Sequence, residues 1–347
     1  MPTAPQKFLV IRLSSIGDIV HALPAVSALS ETFPQAEITW AIESRYAVLL
    51  EDNPCVHQVA QIDTLNWRQR LLSARTLREV VTTIHMLRED RFDAVIDFQG
   101  LLKTGLLAWL CRSHRRIGYA RWKHREPGAG FFYTEEVSLH ETVHVIEESL
   151  ALVNRLGART SKWSFPLPQK GEDENYIEAK LAKIESREFI LVSPGGGWIA
   201  KRWSPQNYAA LVKRLGAETN LSLVLTGSPA DEADIVRILS RASCERAHYI
   251  PTTLGQYLAL ARRARLFIGG DTGPMHLAAA LGVPIVALMG PTDATRNGPF
   301  SPEDIALSNL GPVNHTRRPK VQKFLEGISV DEVFVAIGKR LARAHEQ

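Results

Sequence analysis

Leu266-Phe267-Ile268-Gly269-Gly270-Asp271-Thr272-Gly273-Pro274-Met275-His276-Leu277-Ala278-Ala279-Ala280-Leu281-Gly282-Val283-Pro284-Ile285-Val286-Ala287-Leu288 decides the fold. The apolar run Leu266–Gly269 reads as a buried strand. Pro274 suits a first helical turn, and Asp271 or Thr272 supplies the cap. Gly282 and Pro284 then end a helix over Pro274–Leu281. Pro284–Leu288 is apolar again and reads as the next strand. Strand, loop, helix and strand in so short a stretch make a βαβ unit, which places the two strands parallel in one sheet.

The alternation extends outward. In the same half, Phe189–Val192 and Leu221–Leu225 read as strands, and Gln206–Leu215, Asp231–Leu239 and Gly255–Arg263 as helices. The first half repeats it, with strands at Phe8–Ile11, Glu37–Ile42 and Asp93–Phe98. Its helices are His21–Glu31, Val80–Leu87, Leu101–Leu110 and His144–Leu156, the last closed by Gly157. Residues 158–187, with Pro166, Pro168, Gly171 and a run of charges, read as a linker plus one helix at 172–184. The expected architecture is α/β: two Rossmann-like, doubly wound parallel-sheet domains facing a central cleft. The domains span 1–165 and 166–330, and the C-terminal helix at 331–347 is expected to pack back on the first domain.

Length and composition fit. The chain has 347 residues, enough for two domains at roughly 150 each. It is 45% hydrophobic and 22% charged, which excludes a disordered chain. The net charge of +4 is too mild for a general nucleic-acid binder and leaves room for a local basic patch. Cys55, Cys111 and Cys244 are scattered, so neither a disulfide framework nor a cysteine metal site is expected. Arg12 interrupts the first apolar run, no window reaches 18 uncharged apolar residues, and the tail carries no anchor motif. A cytoplasmic protein is the expectation. No HExxH or clustered His and Asp pair accompanies the glycine-rich loops, so no metal is expected, and no GxSxG elbow supports a serine hydrolase.

Ligands of such sheets bind beyond the carboxyl ends of the strands. The loop after the first strand is Arg12-Leu13-Ser14-Ser15-Ile16-Gly17-Asp18-Ile19-Val20-His21. Ser15 and Gly17 let a substrate approach the backbone. Asp18 has two readings, a helix cap or a general base for a hydroxyl. His21, one turn on, either packs or contacts Asp18.

In the second half, Ser193-Pro194-Gly195-Gly196-Gly197-Trp198-Ile199-Ala200-Lys201-Arg202 brings three glycines and two cations after a strand. Bared backbone N–H groups and paired cations suit a phosphate. In the stretch quoted first, the Thr272 hydroxyl and Gly273 N–H form an anion pocket, and His276 lies one turn in, placed to reach a pyrophosphate. Finally Arg112, His114, Arg115, Arg116, Arg121, Lys123, His124 and Arg125 fall together with no acid among them. They read as a solvated basic face, or as the seat of an anionic acceptor or membrane surface. Trp67-Arg68-Gln69-Arg70 adds to them.

Arg12 to Pro24, Asp97-Phe98-Gln99-Gly100-Leu101-Leu102-Lys103, Arg125-Glu126-Pro127, His144-Val145-Ile146-Glu147 and Asp271 to Leu277 together resemble the bacterial lipopolysaccharide heptosyltransferases of glycosyltransferase family 9. The forms at Ser14-Ser15 and Asp97–Lys103 look more like the type I enzymes than type II. The resemblance implies a GT-B fold, the acceptor on the N-terminal domain and a nucleotide-sugar donor on the C-terminal one. It implies inverting, metal-independent transfer of heptose from ADP-heptose, a substrate rather than a cofactor, to an anionic Kdo sugar of lipid A at the cytoplasmic face of the inner membrane. Asp18 matches the catalytic base. Ser193, Gly195, Gly196, Lys201, Arg202, Thr252, Asp271, Thr272, Gly273 and His276 fall in the donor site, and Ser15, Gly17, Arg68, Gln99 and Arg125 in the acceptor site. The chain departs from the family in its triple glycine, where type I enzymes commonly carry a Thr pair, and in the cysteine-free, basic residues 313–323. Rival readings are another core acceptor (type II-like) or another nucleotide-sugar, a sugar-nucleotide epimerase, and a non-catalytic nucleotide-sugar sensor.

Overall fold

A computed structural model describes residues 7–70, 73–120, 126–139, 143–184, 188–308 and 324–344. The chain divides into two units, Met1–Pro168 and Gln169–Gln347. The first unit contains β1 (Lys7–Ile11), α1 (Ile16–Thr32), β2 (Glu37–Glu43), β3 (Gln58–Ile62), α2 (Thr64–Gln69), α3 (Ala74–Glu89), β4 (Ala94–Asp97), α4 (Leu102–Leu110), β5 (Arg115–Tyr119), β6 (Glu135–Val137) and α5 (Val145–Asn154). The second contains α6 (Gly171–Leu181), β7 (Phe189–Ser193), α7 (Pro205–Glu218), β8 (Ser222–Leu225), α8 (Glu232–Ala242), β9 (Ala247–Tyr249), α9 (Leu254–Ala261), β10 (Leu266–Gly270), α10 (Gly273–Ala280), β11 (Ile285–Met289), α11 (Ala294–Asn297), β12 (Ile305–Ser308) and α12 (Val330–Ala344).

Each unit is built on a six-stranded parallel sheet. The orders are β3-β2-β1-β4-β5-β6 and β12-β11-β10-β7-β8-β9. Counted from the first strand of each unit, these are the same topology. The strand order reverses between β1 and β4, and again between β7 and β10. In sheets of this kind ligands bind beyond the strand ends at such switch points. The register puts Ile11 beside Asp97 and Ser193 beside Gly269, so the loops that follow each pair leave the sheet side by side. β7 and β10 are buried throughout and β1 from Phe8 onward, as parallel strands covered on both faces must be.

Two boundaries differ from expectation. The division falls after Pro168 rather than 165, because the expected linker docks on the first unit. Asn53 Nδ2 donates to the Pro166 carbonyl at 2.8 Å, and Ser27 Oγ to that of Ser164 at 3.5 Å. The last helix, expected to pack back on the first domain, groups with the second unit. α12 belongs to the second unit, where Val333, Ala336 and Ile337 join the core of the second sheet. Its buried Arg340 pairs with Asp304 at 3.0 Å. The apolar stripe of α12 and one buried cation both require that sheet. The short strands β3, β5, β6, β9 and β12 are additions to the sequence reading.

Candidate functional site

At the first switch point the chain leaves β1 through Arg12–Ser15. Ser15 is the N-cap of α1 and Asp18 its third residue, so Asp18 is not the cap but the return arm of a capping box. Asp18 Oδ2 accepts from the Ser15 amide at 3.0 Å and the Ser15 hydroxyl at 2.9 Å. Its Oδ1 lies 2.5 Å from the Arg12 guanidinium, which also donates to the Phe98 carbonyl. Desolvation opposes charge here. Arg12, the Ser15 donors and His21 outweigh it and hold the carboxyl well below the usual carboxylate range. The side chain stays 40% exposed. An ionised, accessible carboxylate at a helix start can accept a proton from a hydroxyl. His21 is buried, with its ring edge-on to His144 at 5.6 Å.

The neighbouring loop, after β4, is braced from below. Asp97 Oδ1 accepts from the Gln99 amide at 2.8 Å and the Gly100 amide at 3.2 Å, and its Oδ2 from the Tyr133 hydroxyl at 2.7 Å. Burial pushes the Asp97 carboxyl up despite those donors. Gly100 turns at φ +66°, where a side chain would strain the backbone. Gln99, assigned to the acceptor, turns its Oε1 to the Leu13 amide at 2.8 Å and so ties the two loops together. Gly17 is buried in α1, Ser15 is exposed, and Arg68 is exposed on α2.

Sequence reasoning missed two partners here. One is Arg12. The other is Lys103 at the start of α4, whose Nζ donates to Thr64 Oγ1 at 3.2 Å while Thr64 donates to Glu43. Burial lowers the Lys103 pKa, and Arg68 and Arg45 push the same way against Glu43 and Glu126. Lys103 stood in the quoted motif, but only the fold brings Glu43 and Thr64 to it.

The basic stretch is partly structural. Arg115 pairs with Glu135 at 2.7 Å across β5 and β6, and Arg116 donates to the carbonyls of Phe132 and Ser113. Arg121, Lys123, His124 and Arg125 lie outside the described residues, as do residues 313–323.

The second switch point centres on Asp271, only 3% exposed at its side chain. Its Oδ2 meets Lys201 Nζ at 2.5 Å and accepts from Thr292 Oγ1 at 2.5 Å, and its Oδ1 meets His276 Nε2 at 3.0 Å. Burial opposes ionisation. His276 and Lys201 overcome it and hold Asp271 well below the ordinary carboxylate range. Thr272 is the N-cap of α10, its hydroxyl donating to the Gly270 carbonyl at 3.3 Å, and Gly273 begins the helix. His276 does not lie on the surface. It is buried and directed at Asp271. Lys201 and the N-terminus of α10 are therefore the positive elements at this strand end, suited to a phosphate anion.

Sterics explain the glycines. A Cβ on Gly270 would lie 2.5 Å from the Lys201 carbonyl, and one on Gly195 2.3 Å from Asp231 Oδ2. The glycine loop thus presses against its neighbours to bring Lys201 to Asp271. Arg202 is occupied within it, donating to the Gly196 carbonyl at 2.6 Å and lying 3.3 Å from Asp231. Ser193 is buried at the end of β7. Thr252 shares a hydrogen bond with Thr226 at 3.0 Å, just beyond β8. Among the described residues no three His, Cys, Asp or Glu side chains are grouped to hold a metal, and no helix is long and apolar enough to cross a membrane.

The model of glycosyltransferase family 9 (heptosyltransferase) matches residues 80–326. The lipopolysaccharide heptosyltransferase 1 of Pseudomonas aeruginosa is 29% identical over 311 residues, 88% of this chain and 84% of that protein. Among solved structures, a family 9 glycosyltransferase of Veillonella parvula superposes with a TM-score of 0.84 at 23% identity, covering 99% of each chain. The Escherichia coli heptosyltransferase solved with ADP-2-deoxy-2-fluoro heptose gives 0.77 at 22%, covering 96% of this chain and 99% of that one. These superpositions identify the fold as GT-B, as expected.

Proposed function

Because the chain belongs to glycosyltransferase family 9, the heptosyltransferases, we propose that it builds the lipopolysaccharide inner core, by inverting, metal-independent transfer of heptose from ADP-heptose to a Kdo sugar of lipid A. The names of its relatives and the ADP-sugar held by a structural neighbour support this donor and the type I acceptor. The observation that carries the reading is the pairing of roles. One switch point holds an accessible, ionised carboxylate, and the other holds a cation fixed beside a helix N-terminus.

In this mechanism Asp18 Oδ takes the proton of the acceptor hydroxyl while the hydroxyl oxygen bonds to the anomeric carbon of heptose. The bond from that carbon to the phosphate oxygen breaks, and ADP leaves with the electron pair. Attack opposite the leaving group inverts the centre. A carboxylate so firmly ionised is a weak base. It serves because the hydroxyl becomes strongly acidic as its oxygen bonds to an oxocarbenium-like carbon. Lys201 and the N-terminus of α10 neutralise the departing diphosphate, doing the charge work a metal does elsewhere. Asp271, His276 and Thr292 hold Lys201 in place. Acceptance of lipid A places the enzyme at the cytoplasmic face of the inner membrane.

The test is turnover with ADP-heptose, with and without deacylated Kdo-lipid A, reading ADP release and product mass. Acceptor-dependent release with one heptose added is the expected result. Release without acceptor overturns the acceptor assignment, and failure of ADP-heptose to bind overturns the donor.

A further inference from the structure

The outer side of α3 and α4 carries an apolar stripe that is exposed among the described residues. A surface helix ordinarily turns such a stripe to the core. In α3 only Thr76 and Leu87 are buried, while Leu77 and Val81, one turn apart, are 65% and 55% exposed. In α4, Leu102, Leu106 and Trp109 recur at helical spacing and are all exposed. Phe131 beside them, in the short 3-10 turn Pro127–Phe132, is 72% exposed. Arg88 Nε donates to the Leu110 carbonyl at 2.6 Å, and the Trp109 ring lies 6.4 Å from that of Phe132, so helices and turn form one surface. Of the eleven large apolar side chains exposed among the described residues, eight lie between residues 65 and 131. Exposed apolar side chains gathered in this way mark an interaction surface.

Charge says what kind. Residues 64–112, which carry α2, α3 and α4, contain eight Lys or Arg and five Asp or Glu, a surplus of three, against four for the whole chain. The excess positive charge is therefore concentrated on the stretch that bears the stripe. A second copy would set like charge against like. A bilayer with anionic head groups satisfies both features, since aromatic and aliphatic side chains enter the head-group boundary while arginines meet lipid phosphates.

We propose that the outward side of α3, α4 and the 127–132 turn is a docking surface for an anionic lipid bilayer. The inference rests on the reading above, since it names the surface that brings the Asp18 unit to a lipid-borne acceptor. It is tested by sedimenting the purified chain with vesicles of phosphatidylcholine alone or with about 30% phosphatidylglycerol. The chain should sediment with the anionic vesicles only. Trp109→Ser combined with Phe131→Ser should lower the bound fraction about tenfold or more. Leu77→Gln with Val81→Gln should act in the same direction, and carries the test if the aromatic variant fails to fold. Val236→Gln with Val335→Gln, on the second unit, should bind as wild type. All three variants should turn over a deacylated, water-soluble acceptor normally. Wild-type binding by both docking variants overturns the proposal, as does failure of wild type to bind anionic vesicles, or a wild-type dimer that the docking variants dissociate. Vesicle binding without any heptosyl transfer would overturn the function and leave the surface standing.

Discussion

Asp18 and Asp271 are both carboxylates held ionised beside a cation, yet their surroundings assign them different work. Asp271 is 3% exposed and shared among Lys201, His276 and Thr292. It has no room for a substrate proton. Asp18 is 40% exposed. Arg12 is the group that sets its basicity. Arg12→Met should raise the Asp18 pKa, as loss of an adjacent opposite charge does. The acid limb of kcat/KM should then move upward in pH, and coincident limbs in the two proteins would contradict the role given to Arg12. For Asp271 the consequence is stability. Its folded pKa is depressed, so its contribution is fully present above the unfolded value of about 3.9 and is lost as pH falls toward the folded value. Asp271→Asn should cost about 3 kcal/mol or more at pH 7, because it leaves Lys201 without its buried partner. Thermal unfolding of the two proteins should show this gap narrowing below pH 4, and a gap independent of pH would refute it. The Asp-Thr-Gly cluster and Lys201 were legible as residues of strand-end loops. The direction of His276 was not, because a histidine one turn into a helix can face either way and only burial decides. Thr292, 21 positions from Asp271, had no sequence signal at all.

Both sites are made by the turns that begin α1 and α10. At α1 the Ser15–Asp18 capping box gives the cap to Ser15, and the carboxylate that closes the helix start is also partly exposed. Which of the two loop residues capped was not legible, as Ser15 and Asp18 are both good caps. At α10 the controlling feature is close approach. Gly270 stands where a Cβ would press on the Lys201 carbonyl at 2.5 Å. Gly270→Ala should push the 199–201 turn away from β10 and weaken ADP binding, measured by titration calorimetry, with no charged group altered. Unchanged affinity would mean that Lys201 does not depend on this contact. The core strands and helices were legible because their apolar runs are long and punctuated by Gly and Pro. The missed strands β5, β6 and β9 are three to five residues long and polar, and β5 carries Arg115 and Arg116. Their strand character comes from the neighbour they pair with, which no local pattern records.

At the scale of the molecule, one topology occurs twice, and each copy presents its chemistry at the same place, beyond the strands where the order reverses. The repetition was legible as alternation. The unit boundary was misplaced by three residues, because Pro166 looks like linker yet its carbonyl is held by Asn53. The destination of α12 was not legible, since an amphipathic helix announces a buried face without naming the sheet that buries it. In the proposed mechanism the two copies divide the reaction, the first removing the acceptor proton and the second holding the leaving diphosphate. The most direct measurement compares kcat and ADP affinity for Asp18→Asn and Lys201→Met. Asp18→Asn should lose about 10²–10⁴ in kcat and bind ADP as wild type does, while Lys201→Met should bind ADP more weakly. Near-normal turnover by Asp18→Asn, or unaltered ADP binding by Lys201→Met, would contradict it.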